Sequence, residues 1–306
     1  MIKTSINFRN YYLNESEKLH WYRKPKIVFK KKANNHYSWF PDGQINLYEN
    51  CITRNLKKNK DKIAIITVSQ NKIFFKYTFE EIDKKVNLVT NYFKKFSDLK
   101  KLRIMIHASA SIDSAVLMLA SAKLGLHFSV IFEELEASGI KNRIKLFKPN
   151  IFFSRLTENF FFKKMGFKTL NKIKFVYGEH LSKILNDNKN SLRIKNKIIN
   201  STSSLFTLFT SGSTGAPKGI THSTGGYLLY SKLTCQNQFG MNENSIVLTA
   251  SDAGWINGHT YSLFGPLSIG ATTVLIEKPI SLIDIKFFKK ILKLKINIIY
   301  LPVTLI

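Results

Sequence analysis

The 306-residue sequence is poor in cysteine, proline and glycine, and it lacks a long apolar run. Its two cysteines, Cys51 and Cys235, are too few for a disulfide framework or a cysteine-rich metal site, which favours a reducing compartment such as the cytoplasm. The low content of proline and glycine excludes collagen-like and proline-rich chains. The sequence contains no stretch of about 18 uncharged apolar residues, so no membrane span is predicted. Residues 1–10 lack the apolar core of a secretory signal.

Acidic residues are also scarce, since 20 Asp and Glu stand against 47 Lys and Arg and give a net charge of +27. Such a charge is typical of proteins that bind nucleic acids or anionic membranes. However, only seven of the basic residues are arginine, and the lysines are spread along the chain. Lys, Asn, Ile, Phe and Tyr, which have codons rich in A and T, are all abundant, so we favour compositional drift. A basic nucleic-acid-binding protein is the alternative, and a steep loss of DNA affinity with salt would identify it.

From about residue 62, short apolar runs alternate with helical patterns. Thr78 and Glu81 form the spacing of a capping box, and the helix behind them has apolar residues at steps of three and four. The predicted strands are 63–68, 72–77 (after a turn at Gln70 and Asn71), 102–107, 127–132, 151–154, 173–177, 205–209, 245–250, 272–277 and 296–301. The predicted helices are 78–96, 111–123, 138–147, 226–236 and 283–295. This rhythm predicts an α/β fold with helices on mostly parallel sheets, whereas residues 1–60 are predicted to be irregular.

The most informative segment is Thr210–Gly219, TSGSTGAPKG, which we call the phosphate loop. Its glycines allow consecutive backbone N–H groups to converge on an anion, and its hydroxyl groups add donors. Lys218 supplies a point charge for a polyphosphate. The spacing differs from that of a Walker A loop, because Pro217 stands where that motif has its second glycine. From the residue types alone, the glycines, the hydroxyl groups of Ser211, Ser213 and Thr214, and Lys218 are expected to contact a phosphate group.

The phosphate loop resembles the signature of the acyl-adenylate-forming superfamily, and its neighbours resemble the acetyl-CoA/propionyl-CoA synthetase branch. The segments that carry this resemblance are His222–Tyr230, Thr249–Pro266, Gly270–Thr273, Trp39–Asn50 and Leu19–Val28. The resemblance implies the N-terminal large domain of such an enzyme, with residues 1–60 as an N-terminal arm and 61–306 as a partial ligase domain. Within the latter, we expect a first lobe at about 61–200 and a phosphate-loop lobe at about 201–306.

The resemblance also implies a two-step reaction. A carboxylate attacks the α-phosphate of ATP to give acyl-AMP and pyrophosphate, and CoA then takes the acyl group. ATP, Mg²⁺ and CoA are thus the implied cofactors. By this resemblance, the residues that would hold the β- and γ-phosphates are Thr210, Ser211, Gly212, Ser213, Thr214, Gly215 and Lys218. Those that would line the acyl and pantetheine region are Trp255, Asn257, Gly258 and His259. No catalytic base is assigned, since the attacking carboxylate is already ionised, and no protein metal site is expected.

Four features depart from the family pattern. Asn257 replaces the usual threonine, and Glu133 and Glu134 replace a glycine pair beside the expected CoA nucleotide, where two carboxylates would repel a phosphate. No Arg-Gly-Gly motif occurs between Arg155 and Tyr177. Asp252, which is not one of these departures, is expected to cap or brace the turn in which it lies.

The fourth departure is length. Residues 301–306 resemble a segment near the middle of the enzyme, and the adenine-binding and C-terminal lysine motifs do not occur in the sequence. The chain is therefore expected to be inactive alone. The alternatives are a non-catalytic ATP- or pyrophosphate-binding protein and one half of a split enzyme, whose partner would be a separately encoded C-terminal half.

Overall fold

The computed structural model describes residues 2–33, 36–69, 74–96, 98, 101–166, 173–187, 192–210, 217–277 and 285–301. Its helices, in chain order, are α1 (Ile2–Ser16), α2 (Arg54–Asn59), α3 (Phe79–Phe93), α4 (Ile112–Lys123), α5 (Ala137–Phe147), α6 (Glu158–Met165), α7 (Gly178–Leu185), α8 (Thr224–Phe239), α9 (Ile256–His259), α10 (Gly265–Ile269) and α11 (Ile285–Leu292). Two π-helical turns, Glu49–Thr53 and Thr260–Phe264, adjoin α2 and α9.

The strands among the described residues are short and form four sheets. They are β1 (Trp21–Arg23), β2 (Phe29–Lys31), β3 (Tyr37–Trp39), β4 (Gln44–Ile45), β5 (Ile63–Val68), β6 (Phe74–Thr78), β7 (Arg103–His107), β8 (His127–Ile131), β9 (Ile151–Ser154), β10 (Lys174–Val176), β11 (Ile199–Asn200), β12 (Ser204–Thr210), β13 (Lys218–Ser223), β14 (Ile246–Thr249), β15 (Thr272–Ile276) and β16 (Ile298–Tyr300).

Two larger sheets dominate the fold. The six-stranded sheet has the order β10-β9-β7-β8-β12-β13, and the five-stranded sheet has the order β16-β14-β15-β5-β6. In each sheet all described pairings are parallel except the last, where β13 pairs antiparallel with β12 and β6 pairs antiparallel with β5. The predicted α/β class with mostly parallel sheets is confirmed. The antiparallel edges arise from hairpins, which need no crossover helix.

Helices cover both faces of the six-stranded sheet, which explains why its strands are apolar on both sides. On one face, α3 and α4 contribute to the largest core cluster. On the other face, Met105 and Phe152 pack with Ile144 of α5 and Phe161 of α6. The five-stranded sheet packs in the same way against Phe287 of α11. Because the strands run parallel, their carboxyl ends lie together at one end of each sheet. We call this end the open edge.

The capping box predicted at Thr78 and Glu81 is confirmed, because the Thr78 side chain accepts from the Glu81 N–H while the Glu81 side chain accepts from the Thr78 N–H. The predicted strands and helices after residue 62 are found, with ends that move by a few residues. The turn at Gln70 and Asn71 lies outside the described residues.

The prediction that residues 1–60 are irregular is wrong. This segment contains α1, four short strands and the helical stretch that ends with α2. Aromatic contacts hold α1, since the Tyr12 ring lies 5.2 Å from Trp39 and 4.6 Å from Phe8 between ring centroids. The helix carries no capping signal and no regular apolar face, so periodicity could not reveal it.

Both large sheets combine strands from before and after residue 200. β12 and β13 complete the six-stranded sheet, while β5 and β6 join the five-stranded one. Neither sheet therefore coincides with one of the two lobes expected at about 61–200 and 201–306. The domain boundaries at residues 60 and 200 stay predictions.

Candidate functional site

The described ends of the phosphate loop, Thr210 and Lys218, lie at the open edge of the six-stranded sheet. β8 and β12 run parallel as neighbours, so their carboxyl ends reach the same edge. The loop then joins β12 to β13, and Thr210 faces Lys218 as the last described pair of that hairpin. Ser211, Gly212, Ser213, Thr214 and Gly215 lie outside the described residues. Their phosphate-binding role stays a prediction.

The two described members of the predicted phosphate site flank this loop. The Thr210 hydroxyl donates to the Lys218 carbonyl at 3.5 Å, which places the two backbones side by side. Both residues are exposed. Lys218 begins an exposed edge strand, so its ammonium group is available to an anion at the loop.

A second segment approaches the same edge from the five-stranded sheet. After β14, the chain turns through residues 250–255 and enters α9. The ring of Trp255, which is 56% exposed, lies 5.1 Å from that of Phe132 at the end of β8. This contact places Trp255 beside the carboxyl end of β8.

The turn before Trp255 is braced by Asp252. One oxygen of its carboxylate accepts the Gly254 N–H at 2.7 Å, which is the bracing role expected of this residue. Burial, with the nearby charges of Glu134 and Glu133, raises the Asp252 pKa to about 7. A carboxyl group that titrates near neutrality thus lies at the site edge.

The remaining residues of the segment differ in their surroundings. Gly258 is buried against the turn, and a Cβ there would lie 2.1 Å from the Asp252 carbonyl oxygen, so only glycine fits. Asn257 is half-buried and donates from Nδ2 to the Tyr300 hydroxyl at 3.3 Å. The position that departs from the family pattern therefore holds the end of β16 against α9.

His259 is fully buried. Its ring stacks on Phe128 with 5.9 Å between centroids and lies 4.5 Å from Phe206, while Nδ1 lies 3.2 Å from the Trp255 carbonyl oxygen. Burial lowers its pKa to about 3, so the ring is neutral at physiological pH. In the described part of the chain, Nε2 has no hydrogen-bond partner. A lining role for His259 stays a prediction, and its described contacts are those of a core residue.

Glu133 and Glu134 follow β8 at the same edge. The Glu133 carboxylate accepts the Ser109 N–H at 3.1 Å, and its carbonyl accepts from Lys164 Nζ at 2.8 Å. Glu134 is exposed. The two carboxylates therefore differ in their surroundings. That of Glu133 braces the loop before α4, and that of Glu134 faces solvent. Where the Arg-Gly-Gly motif is missing, the chain forms α6, which ends at Gly166 with a φ of 64°.

An ion cluster that the sequence analysis missed joins the two sheets at this edge. Arg155 follows β9, and its guanidinium lies 3.1 Å from Glu277 after β15 and 3.5 Å from Asp113 at the start of α4. It also donates to the Ser109 hydroxyl at 2.9 Å. Burial opposes the charge of Arg155, but the carboxylates of Glu277, Asp113 and Glu133 together outweigh it and raise the guanidinium pKa. Burial raises the pKa of Asp113 and Glu277 despite the cation.

No cluster of three or more His, Cys, Asp or Glu side chains among the described residues is arranged to hold a metal ion. None of the described helices combines the length and apolarity required to cross a membrane.

Comparison with known proteins matches two families along the chain. Residues 3–51 match the family described as acetyl-coenzyme A synthetase N-terminus, and residues 52–306 match the family described as AMP-binding enzyme.

Individual relatives agree with these matches. The chain is 30% identical to an acetyl-coenzyme A synthetase of Helicobacter pylori over 88% of its length and 44% of the relative's. It is 29% identical to that of Pasteurella multocida over 98% of its length and 50% of the relative's. A crystal structure of an acyl-CoA synthetase from Brucella canis matches the fold with a TM-score of 0.75, at 17% identity, over 87% of this chain and 48% of that one. The chain thus spans about half the length of these relatives, and it belongs to the AMP-binding enzyme family, in the acetyl-CoA synthetase branch.

Proposed function

We propose that this chain supplies the polyphosphate-binding and acyl-binding parts of an AMP-forming short-chain acyl-CoA synthetase. The observation that carries the proposal is the junction at the open edge, where Thr210 and Lys218 flank the phosphate loop while the Trp255 ring contacts Phe132. A loop that binds phosphates and a segment that binds the acyl group must meet if a carboxylate is to attack a nucleotide phosphate. Positioning of this kind supplies much of the rate enhancement in such transfers.

The residues would act mainly through charge and placement. The carboxylate substrate is ionised at neutral pH, so it attacks the α-phosphate without a base from the protein, and pyrophosphate leaves with the electrons of the broken P–O bond. The Lys218 ammonium and the N–H groups of the phosphate loop would offset the negative charge on the β- and γ-phosphates. Mg²⁺ bound to the polyphosphate would offset more of it.

We further propose that this part of the enzyme acts in the cytoplasm, with a carboxylate, ATP and CoA as its small-molecule partners.

Replacing Lys218 tests this proposal. Lys218→Ala should weaken MgATP binding about tenfold, because it removes a point charge from a polyphosphate site. Isothermal titration of the purified chain measures the effect. Lys174→Ala is the matched control. Lys174 is an exposed lysine on β10, which is the outermost strand on the other side of the same sheet from β13. Equal MgATP affinity in the native chain and in Lys218→Ala would exclude the phosphate role.

The carboxylates after β8 give a second prediction. The double variant Glu133→Gly with Glu134→Gly should bind CoA several-fold more tightly, because two negative charges no longer repel its phosphates. Glu134→Gln separates charge from structure, since the Glu133 bond to Ser109 remains. CoA titration of both variants, with Glu179→Gln on α7 as control, measures the change. If both variants bind CoA with the affinity of the native chain, Glu133 and Glu134 do not repel the phosphates of CoA.

A further inference from the structure

A buried lysine outside the candidate site lies where α8 meets the N-terminal arm. Lys232 of α8 is only 8% exposed, and its Nζ donates at 2.8 Å to the carbonyl oxygen of Lys18, which follows α1. Nη1 of Arg54, in α2, donates to the same oxygen at 3.2 Å. Because the ammonium and the guanidinium share one acceptor, the two cationic groups are close neighbours. We call Lys232 and Arg54 the cation pair.

No negative charge compensates the cation pair. In the described part of the chain, neither Lys232 nor Arg54 has a carboxylate partner, and the neighbouring Lys18 and Lys58 have partners of their own. The nearby Cys51 thiol remains protonated, because burial raises its pKa. Lys232 is therefore a buried amine that lies next to a second cation and has no counter-ion. An ammonium group in such a place is costly.

These surroundings favour the uncharged form of the amine. Burial removes the ammonium from water, and the charges of Arg54, Lys18 and Lys58 oppose a further positive charge. Burial has the larger effect, and together they lower the Lys232 pKa to about 8. An ordinary lysine, with a pKa of about 10.4, is almost wholly protonated near neutral pH. A desolvated lysine beside another cation is instead a usable nucleophile.

The surroundings of Lys232 also select its reaction partner. The electrophile must be small, because little of the side chain is exposed. An adduct with a negative charge gains most, because it supplies the counter-ion that the cation pair lacks. CO₂ meets both conditions, since it is a small uncharged molecule whose adduct with an amine is a carbamate anion. A bulky acyl donor meets neither condition, because the amide that it forms is neutral.

We propose that Lys232 is a carbamylation site that takes up CO₂ beside Arg54. The neutral Nζ attacks the carbon of CO₂, so that an N–C bond forms while the electron pair of one C–O π bond moves to oxygen. Nζ then releases a proton to water. The carbamate nitrogen retains an N–H group for the Lys18 carbonyl, and the carbamate anion becomes the counter-ion of Arg54. The site lies outside the proposed function, which does not use Lys232.

Trapping of the carbamate in the native chain tests the inference. The chain is equilibrated at a pH of about 8 with ¹³C-labelled bicarbonate, which supplies CO₂. It is then treated with triethyloxonium, which converts carbamates into stable ethyl esters, and mass spectrometry of the digested chain locates the ester. We expect the label on the peptide that contains Lys232. We also expect a carbamate signal in the ¹³C NMR spectrum that Lys232→Arg removes, with Lys232→Met in its place if that variant does not fold.

Two further variants separate this site from general lysine chemistry. Arg54→Gln keeps a side-chain N–H donor but removes the second cation. The labelled fraction of Lys232 should then fall several-fold, because the carbamate loses its counter-ion and the ammonium is opposed less strongly. Lys84→Met is the matched control, because Lys84 lies on α3 with a side chain that is 65% exposed. It should leave the label at Lys232 unchanged.

The labelling pattern decides the inference. A label on Lys232 in the native chain and in Lys84→Met that falls in Arg54→Gln supports it. A folded native chain without a label on Lys232 overturns it, and so does a labelled fraction no higher than that of Lys84. Equal labelling of Lys232 in the native chain and in Arg54→Gln also overturns it, because the cation pair would then have no part in the reaction.

Discussion

Arg155→Ala is expected to lower the free energy of unfolding by about 3 kcal/mol, because it leaves two carboxylates at the sheet junction without their cation. The side chains of Asp113 and Glu277 are only 25% and 12% exposed, so water cannot replace the guanidinium fully. The cluster also joins the ends of β9 and β15, which belong to different sheets. Urea unfolding followed by circular dichroism measures the loss.

Two further variants make this test specific. Arg193→Ala is the matched control, because Arg193 is 68% exposed and lies 3.9 Å from Asp83; its loss should cost under about 1 kcal/mol. The double variant Arg155→Met with Glu277→Gln should lower the free energy of unfolding by less than Arg155→Ala does. It also removes the negative charge of Glu277, which would otherwise be left without a cation. A similar cost for Arg155→Ala and Arg193→Ala would mean that the cluster does not stabilise the junction.

Gly258→Ala is expected to destabilise the chain by about 2–3 kcal/mol and to disturb the segment that holds Trp255. The added Cβ would meet the Asp252 carbonyl oxygen at 2.1 Å and its carbon at 2.8 Å. Backbone atoms cannot move aside as a flexible side chain does, so the turn before α9 must shift. Urea unfolding reports the stability, and the fluorescence of Trp255 reports the local change.

Gly240→Ala is the comparison for this variant. Gly240 ends α8 with a φ of 61°, and, apart from its two chain neighbours, no atom of the described residues lies within 4 Å of a Cβ built there. Its replacement should therefore cost only about 1 kcal/mol, from the left-handed backbone conformation. If Gly258→Ala proves as mild as Gly240→Ala, the close approach of α9 to the turn at Asp252 does not exist in solution.

Sequence patterns predicted those strands and helices whose formation depends on residues that are neighbours in the chain. β5 and β9 are continuous apolar runs, and α3 begins at a capping box visible in the sequence. α1 was missed because contacts with Phe29 and Trp39, distant in sequence, stabilise it. The site shows the same division. The phosphate loop is one contiguous motif, whereas the Arg155 cluster pairs Arg155 with Glu277, 122 positions away, which no spacing rule detects.

We propose above all that the six-stranded sheet binds a polyphosphate at its open edge, through the phosphate loop and Lys218. Competition between MgATP and magnesium pyrophosphate tests it most directly. Calorimetric titration of the native chain with MgATP, repeated at rising pyrophosphate, should show simple competition, and AMP should displace neither ligand because it lacks the β- and γ-phosphates. MgATP binding that AMP displaces as well as pyrophosphate does, or that pyrophosphate leaves unchanged, would contradict the claim.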